Sequence, residues 1–349
     1  MRYTIFGESH GPAIGVVLEG VPPGLALDFD AAARELARRA PGRSQMSTQR
    51  CEADQIQVLS GLFEGRTCGT PLCAVIENTD TRSKDYQNDL PRPGHADFAG
   101  HIRYQGCGDY RGGGHFSGRL TAPLVFAGAV AKQILKEKSV VVGAHIRRIA
   151  DVDDFSFDGV HEDAALLERL ACKPFPTISD EAGEQMQRAI LAAKQDCDSV
   201  GGIIECCAVG MPAGFGAPDF GQNVEGIVSQ YLFAVPAVKA VAFGAGFDFA
   251  GMRGSEANDP VYLDGGTVKT KTNHTGGVNG GITNGMPVLF SVVMRPTPSI
   301  ARPQETISLA KGTAETLVIH GRHDPCVVHR AVPVIEAACA LAMCEILGI

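Results

Sequence analysis

Apolar positions recur along this chain in two rhythms, one of strands and one of helices. Residues 14–18, 72–77, 140–149, 202–209 and 286–294 are runs rich in β-branched or apolar side chains, the composition of strands. Residues 30–40 carry the spacing of a short helix, with Asp28 or Asp30 as its cap and Pro41-Gly42 as its stop. Residues 121–138, 180–196, 224–233 and 331–347 also read as helices. After Pro123 the chain runs Leu124-Val125-Phe126-Ala127 and then Ala129-Val130. A helix with no polar side on its first turns is a buried one. Residues 121–138 are therefore expected in the interior or against a neighbouring subunit.

No strict strand–helix–strand alternation appears, and no GxGxxG follows a strand, which argues against a Rossmann domain. No low-complexity linker and no repeat of fixed period divides the chain, so one domain over residues 1–349 is expected. The pattern alone says mixed α and β. Two stretches, 83–118 and 251–285, read as long functional loops; the second carries glycines at 254, 265, 266, 276, 277, 280 and 281.

A hydrophobic fraction of 44% in 349 residues is enough for a globular core. No apolar run reaches the roughly 18–20 residues of a membrane span. The start, Met1-Arg2-Tyr3-Thr4, has no apolar signal segment. These features lead us to expect a soluble cytoplasmic protein with no membrane partner. Eleven cysteines are present, an odd number without a CxxC pair. Cys68, Cys73, Cys206, Cys207, Cys339 and Cys344 lie among apolar or small residues, as buried reduced thiols do, and no spacing recommends a metal site. The net charge of −8 speaks against nucleic acid as a partner. One region reverses that balance. Arg34, Arg38, Arg39, Arg43 and Arg50 face one acid, Glu35, a local net of +4 suited to a small anion.

The candidate chemistry lies in six runs. Gly7-Glu8-Ser9-His10-Gly11 and Arg92-Pro93-Gly94-His95-Ala96-Asp97 each set one histidine in a turn, and two such imidazoles can handle two different protons. Arg111-Gly112-Gly113-Gly114-His115-Phe116-Ser117-Gly118-Arg119 follows, then Asn279-Gly280-Gly281-Ile282, Arg295-Pro296-Thr297-Pro298-Ser299 and Arg322-His323-Asp324-Pro325-Cys326. In this order the runs resemble those of the chorismate synthase family, from about Gly7 to Leu347.

The resemblance implies an α+β fold: a single layered domain with helices sandwiched between antiparallel sheets. It implies a 1,4-elimination of phosphate from 5-enolpyruvylshikimate 3-phosphate, a small anionic substrate, to give chorismate. It also implies reduced FMN as cofactor and a homotetramer. Matched residue by residue, catalysis falls on His10 near the flavin, His95 near the leaving phosphate and Asp324 in proton transfer. Substrate binding falls on Ser9, Arg39, Arg50 and Arg119. Flavin contacts fall on His115, Phe116, Ser117, Glu256, Ala257, Gly280, Arg295, Pro296, Thr297, Pro298, Ser299 and Arg322.

Arginine suits the substrate because its planar fork meets carboxylate and phosphate with two bonds. Read without the resemblance, Arg38 and Arg39 complement a helix dipole and face solvent. His145 lies in an expected strand and is not expected to be catalytic. The chain departs from many members at His115-Phe116, where Arg-Ser is frequent, at Gln45, where arginine is common, and at Arg295, which replaces a frequent lysine. A flavin- or anion-binding protein without turnover is the second reading. A third is an NADPH-dependent flavin oxidoreductase, but no separate NADPH domain is visible, so an outside reductant is expected.

Overall fold

The computed structural model describes residues 1–42, 46, 47, 52, 54–80, 88–319 and 324–349. Arg43, Gln45, Arg50, Arg322 and His323 lie outside the described residues.

Strand β1 (Arg2–Gly7) turns at Ser9-His10 into β2 (Ala13–Glu19), with Tyr3 opposite Leu18 and Phe6 opposite Gly15. Helix α1 (Phe29–Arg39) follows; Asp28 is its N-cap, accepting from the Ala31 N–H at 2.8 Å. Strand β3 (Gln57–Ser60), the small hairpin β4 (Leu62–Phe63) and β5 (Arg66–Thr67), and β6 (Leu72–Glu77) come next. The first sheet runs β1-β2-β6-β3, with every pairing antiparallel. Its inner face is the alternate set Ile14, Val16 and Leu18 on β2 with Leu72, Ala74 and Ile76 on β6, all buried.

The stretch 83–118 is not all loop, for it contains α2 (Asp97–Arg103) and a 3₁₀ segment at Arg111–Phe116. Helix α3 (Thr121–Glu137) leads to β7 (Val141–Ile149), β8 (Val152–Asp153), α4 (Ala164–Cys172), α5 (Asp180–Gln195) and β9 (Gly202–Val209). Then come α6 (Val224–Phe233) and β10 (Val238–Phe243). The second glycine-rich stretch folds into α7 (Gly254–Ala257) and two short hairpins, β11 (Val261–Asp264) with β12 (Thr267–Thr270), and β13 (Val278–Asn279) with β14 (Ile282–Thr283). Strand β15 (Val288–Met294), the hairpin β16 (Gln304–Ile307) and β17 (Ala314–Leu317), and α8 (Val328–Ile346) complete the chain. The second sheet runs β10-β15-β9-β7-β8, again antiparallel.

Between the sheets lie α3 and α8. Helix α3 packs on β1, β2 and β6, α8 packs on β7 and β9, and the two helices pack on each other. The expected layering of helices between antiparallel sheets is thus observed, with α4 packed on β7 and α5 on β7 and β8. The helix at 121–138 is buried as expected, against α8 of its own chain. Glycine is needed at that contact: a Cβ on Gly128 would sit 2.2 Å from the Cβ of Ala337. Two cysteine readings need correcting. Cys68 is exposed and Cys73 half-buried, while Cys206, Cys207, Cys339 and Cys344 are buried free thiols. Cys68 follows the β4–β5 hairpin at the surface, where small neighbours mark a turn and not a core.

Candidate active site

A cavity of about 690 Å³ opens where the β1–β2 turn, the loop before α2, the glycine run, the α6–β10 turn and the start of α8 meet. Its size is that of a ligand pocket. It brings together His10, His95, Arg39, Arg119, His115, Phe116, Ser117, Arg295, Thr297, Pro298, Ser299 and Asp324. These residues come from distant parts of the chain, and local hydrogen bonds set each one.

His10 sits in the β1–β2 turn, which Gly11 N–H closes onto Glu8 O at 3.0 Å. Asn78 Nδ2 pins the same turn by donating to Glu8 O and Gly11 O. Ser9 is fully buried beside it, and its N–H donates to Gly114 O at 3.1 Å. The glycine run lies over this turn with positive φ at Gly112 and Gly113. A Cβ on Gly112 would stand 2.6 Å from His10 Nε2, and one on Gly113 would stand 3.5 Å from His95 Nε2. Two imidazoles from motifs far apart in sequence thus flank neighbouring glycines; a side chain at Gly112 would crowd His10, and at Gly113 it is the positive φ that favours glycine.

His95 follows the turn made by Pro93 and Gly94. Its Nδ1 lies 2.6 Å from Asp97 Oδ1 and 3.1 Å from Arg92 Nη2. Arg92 grips both oxygens of Asp97 and also donates to Ser299 Oγ at 3.1 Å. Burial works against ionisation of Asp97, yet hydrogen bonds from Arg92 and His95 hold its carboxyl well below the usual carboxylate range.

The cationic wall is built at the end of α1. Neither Arg38 nor Arg39 faces solvent, contrary to the reading of a plain helix end. Arg38 turns into the core and meets the buried Glu336 of α8 with two bonds, 2.6 and 2.8 Å. Arg39 is buried and donates to Asp54 Oδ2 at 2.5 Å. Arg119 reaches Asp54 Oδ1 and, at 2.8 Å, Glu52 Oε2. Asp54 is set to receive both by a left-handed backbone, φ 47. Two polar atoms of the wall, Arg39 Nε and Thr297 Oγ1, are buried and hydrogen-bond nothing among the described residues. Arg330 links the wall to Asp324: it donates to Arg39 O at 3.0 Å and to Asp324 Oδ2 at 2.5 Å.

Arg295 donates to Gly94 O at 2.5 Å and faces no carboxylate among the described residues. His115 is exposed and its Nδ1 lies 3.1 Å from Gly7 O. Phe116 leans on Tyr104. Five of the matched residues among those described do not line this cavity, the first being the buried Ser9. Glu256 and Ala257 are on α7, Gly280 is in the β13–β14 turn, and Pro296 is exposed beside Arg295. Sequence reasoning missed Glu52, Asp54, Arg330, Lys239 and the turn from Phe233 to Val238, all of which belong to the cavity or its wall. The acids and Arg330 carry no signal alone. In the turn, Pro236 is a local sequence signal, whereas the left-handed backbone of Ala237, φ 73, is not announced by its residue type.

The sequence profile of the chorismate synthase family matches residues 1–347. A chorismate synthase of Thermococcus kodakarensis is 43% identical over 348 residues, covering 99% of this chain and 95% of that relative. One of Methanocella arvoryzae is 45% identical over 350 residues, covering 99% of this chain and 91% of that relative. A crystal structure of chorismate synthase superposes with a TM-score of 0.79 at 28% identity, covering 99% of this chain and 91% of that one. Matched along nearly its whole length in sequence and in fold, this chain belongs to the chorismate synthase family, lyases that catalyse the last step of the shikimate pathway.

Proposed function

We propose that the cavity between His10 and His95 is where this chain eliminates phosphate from 5-enolpyruvylshikimate 3-phosphate, with reduced FMN bound beside the substrate. The observation that carries this reading is the meeting of two imidazoles over Gly112 and Gly113, opposite the buried cations Arg39 and Arg119. The substrate has two carboxylates and a phosphate, and the wall offers arginines to meet them. Arg39 lines the cavity while its Nη2 holds Asp54, so it can offer its charge to a substrate carboxylate without releasing its partner. Arg50, outside the described residues, is assigned with them. Ser9 is buried beneath His10, so its role is to hold that ring's turn.

The donors on the opposite wall fit a flavin. Arg295 brings a charge with no carboxylate partner among the described residues, Thr297 an uncommitted hydroxyl, and His115, Phe116, Ser117, Pro298 and Ser299 complete that side. Bound on this wall, reduced FMN would supply electron density toward the departing phosphate, in an elimination with no net redox change. His95 gives a proton to the leaving phosphate oxygen. His10 would hold a proton at the flavin, and Asp324, restrained by Arg330, is assigned to proton transfer through the flavin. Glu256, Ala257 and Gly280 lie outside this cavity. They meet a flavin here only across an interface with a second copy, in line with a homotetramer. Arg322 is assigned to the flavin from outside the described residues.

The test is an anaerobic assay with chemically reduced FMN and no NADPH. Chorismate formation supports the reading. FMN binding without chorismate would leave a binding protein. Turnover under air with NADPH alone would add a reductase activity.

A further inference from the structure

We propose that Asp97 is a positioning residue for His95: it takes the Nδ1 proton and leaves Nε2 as the nitrogen that serves the cavity. The inference rests on the reading of His95 as the proton donor to phosphate. Nδ1 has two neighbours that demand opposite things. A guanidinium N–H needs a bare nitrogen, whereas an ionised carboxylate only accepts and needs Nδ1–H. Asp97 Oδ1 is the nearer, at 2.6 Å against 3.1 Å for Arg92 Nη2. Arg92 Nη2 already has an acceptor, the same Oδ1, at 2.8 Å. With the ring proton on Nδ1 both donors point at Asp97 Oδ1 and the two shorter contacts are hydrogen bonds, while the 3.1 Å approach of Arg92 Nη2 to Nδ1 is a contact without a bond.

Arg92 fixes the carboxylate that fixes the ring. Its Nε donates to Asp97 Oδ2 at 2.7 Å, making a two-bond fork, and its backbone N–H donates to the same oxygen at 3.0 Å. The remaining guanidinium nitrogen, Nη1, donates to Ser299 Oγ at 3.1 Å. A continuous chain of hydrogen bonds therefore runs from Ser299, on the wall assigned to the flavin, through Arg92 and Asp97 to His95. Arg92 is spent in this fork and is not a cation for the substrate. The ring gives its proton from Nε2 as the imidazolium and is left as the neutral Nδ1–H tautomer, so Nδ1–H must stay fixed while Nε2 alone exchanges, and this chain of contacts keeps the ring from flipping or changing tautomer.

Asp97 also opens α2 and closes the turn onto the Arg92 N–H, so a merely structural role must be separated from the positioning one. Asp97→Asn does this. The amide oxygen still accepts from the Arg92 N–H, while its NH₂ can face Nδ1 as a donor. Protein carrying ¹⁵N-histidine is examined by long-range ¹H–¹⁵N correlation at about pH 8, where a free imidazole is neutral. The His95 signal is identified by its loss in His95→Gln. Wild type is expected as the Nδ1–H tautomer and Asp97→Asn as the Nε2–H tautomer. Asp97→Asn should lower kcat more than about tenfold, within the span of a general acid, and change KM less than about threefold.

A wild-type His95 in the Nε2–H form overturns the proposal without any variant. So does an unchanged tautomer and kcat in Asp97→Asn. If the tautomer switches but Asp97→Asn and His95→Gln both turn over at the wild-type rate, the orientation by Asp97 is upheld and His95 as proton donor is overturned.

Discussion

Arg39 and Arg119 share one carboxylate: Arg39 Nη2 lies 2.5 Å from Asp54 Oδ2, and Arg119 Nη1 meets Oδ1 of the same group. Burial lowers the Arg39 pKa to about 10 against the pull of Asp54, and the neighbouring Arg330 and Arg119 push the same way as burial. It remains a cation at neutral pH, in a wall where Arg39, Arg119 and Arg330 meet Glu52, Asp54 and Asp324. Burial works to raise the Asp54 carboxyl, but Arg39 and Arg119 outweigh it and hold it below the usual range. Arg39→Ala and Arg119→Ala are each expected to raise the substrate Kd about tenfold or more, the worth of a charged hydrogen bond at about 1.5–3 kcal/mol. Because both lean on Asp54, the double variant should fall short of the sum of the two. Calorimetric titration checks this. Strict additivity, or effects no larger than that of Arg43→Ala, would show two independent structural arginines.

The two histidines should fail in different ways. Alanine at either is expected to cost about 10²–10⁴-fold in turnover. His10→Ala should also change the absorption spectrum of bound reduced flavin in the presence of substrate, because that ring is assigned to the flavin's proton. His95→Ala should leave the spectrum near normal and slow phosphate release, seen by rapid quench. A flavin spectrum disturbed only by His95→Ala would mean that the two roles are exchanged.

Much of the frame was legible before the structure. Strands β6 and β9 lie at 72–77 and 202–209, where apolar runs placed them. The cap at Asp28 and the stop before Pro41 bounded α1. Strand β1 was missed because it alternates half-buried and exposed positions at a sheet edge and carries Arg2 and Thr4. Helix α4 was missed because it is nine residues long and makes its contacts through Leu167 and Leu170. Helix α8 begins at Val328, ahead of residue 331, since Val327 has no capping side chain to announce it. In the site, motifs gave the groups that belong to turns. The partners were hidden because sequence does not pair charges. Arg38 reads as a solvated helix end, yet its acceptor Glu336 is 298 residues away.

That pairing carries a stability cost of its own. Glu336 is buried in α8 and accepts from Arg38, from Lys132 at 2.6 Å and from the Ala144 N–H at 3.1 Å. Burial alone would raise its pKa, but Arg38 and Lys132 lower it. Removing the carboxylate leaves two cations between α1, α3 and α8 with the half-buried Glu35 as their remaining counter-charge among the described residues. Glu336→Gln is expected to destabilise the fold by about 3–5 kcal/mol, and Glu336→Gln with Arg38→Met and Lys132→Met by less. Urea unfolding distinguishes the cases. A single variant no worse than the triple would show that the cations escape to water.

Two buried histidines away from the proposed chemistry should give the fold opposite slopes with pH. Burial acts to lower the His145 pKa, but hydrogen bonds and charge from Asp154 and Glu205, the latter 2.9 Å from Nε2, raise it above its ordinary value. Its stabilisation is full below the unfolded pKa of about 6.5 and is lost as pH rises through the higher folded value. His329 is the reverse. Both ring nitrogens are buried without a partner among the described residues, although part of the residue reaches solvent. Burial lowers its pKa to about 4. Its unfolded form takes up the proton first, so stability is retained above about pH 6.5 and falls between there and about 4. Unfolding midpoints in urea should therefore be highest near pH 6.5. His329→Leu should flatten the acid side, and His145→Gln the alkaline side while lowering stability throughout. A slope between about pH 6.5 and 4 that is unchanged in His329→Leu would refute this assignment, because carboxylates such as Asp54 and Asp97, with depressed pKa values, make stability fall only below the unfolded value of about 3.9.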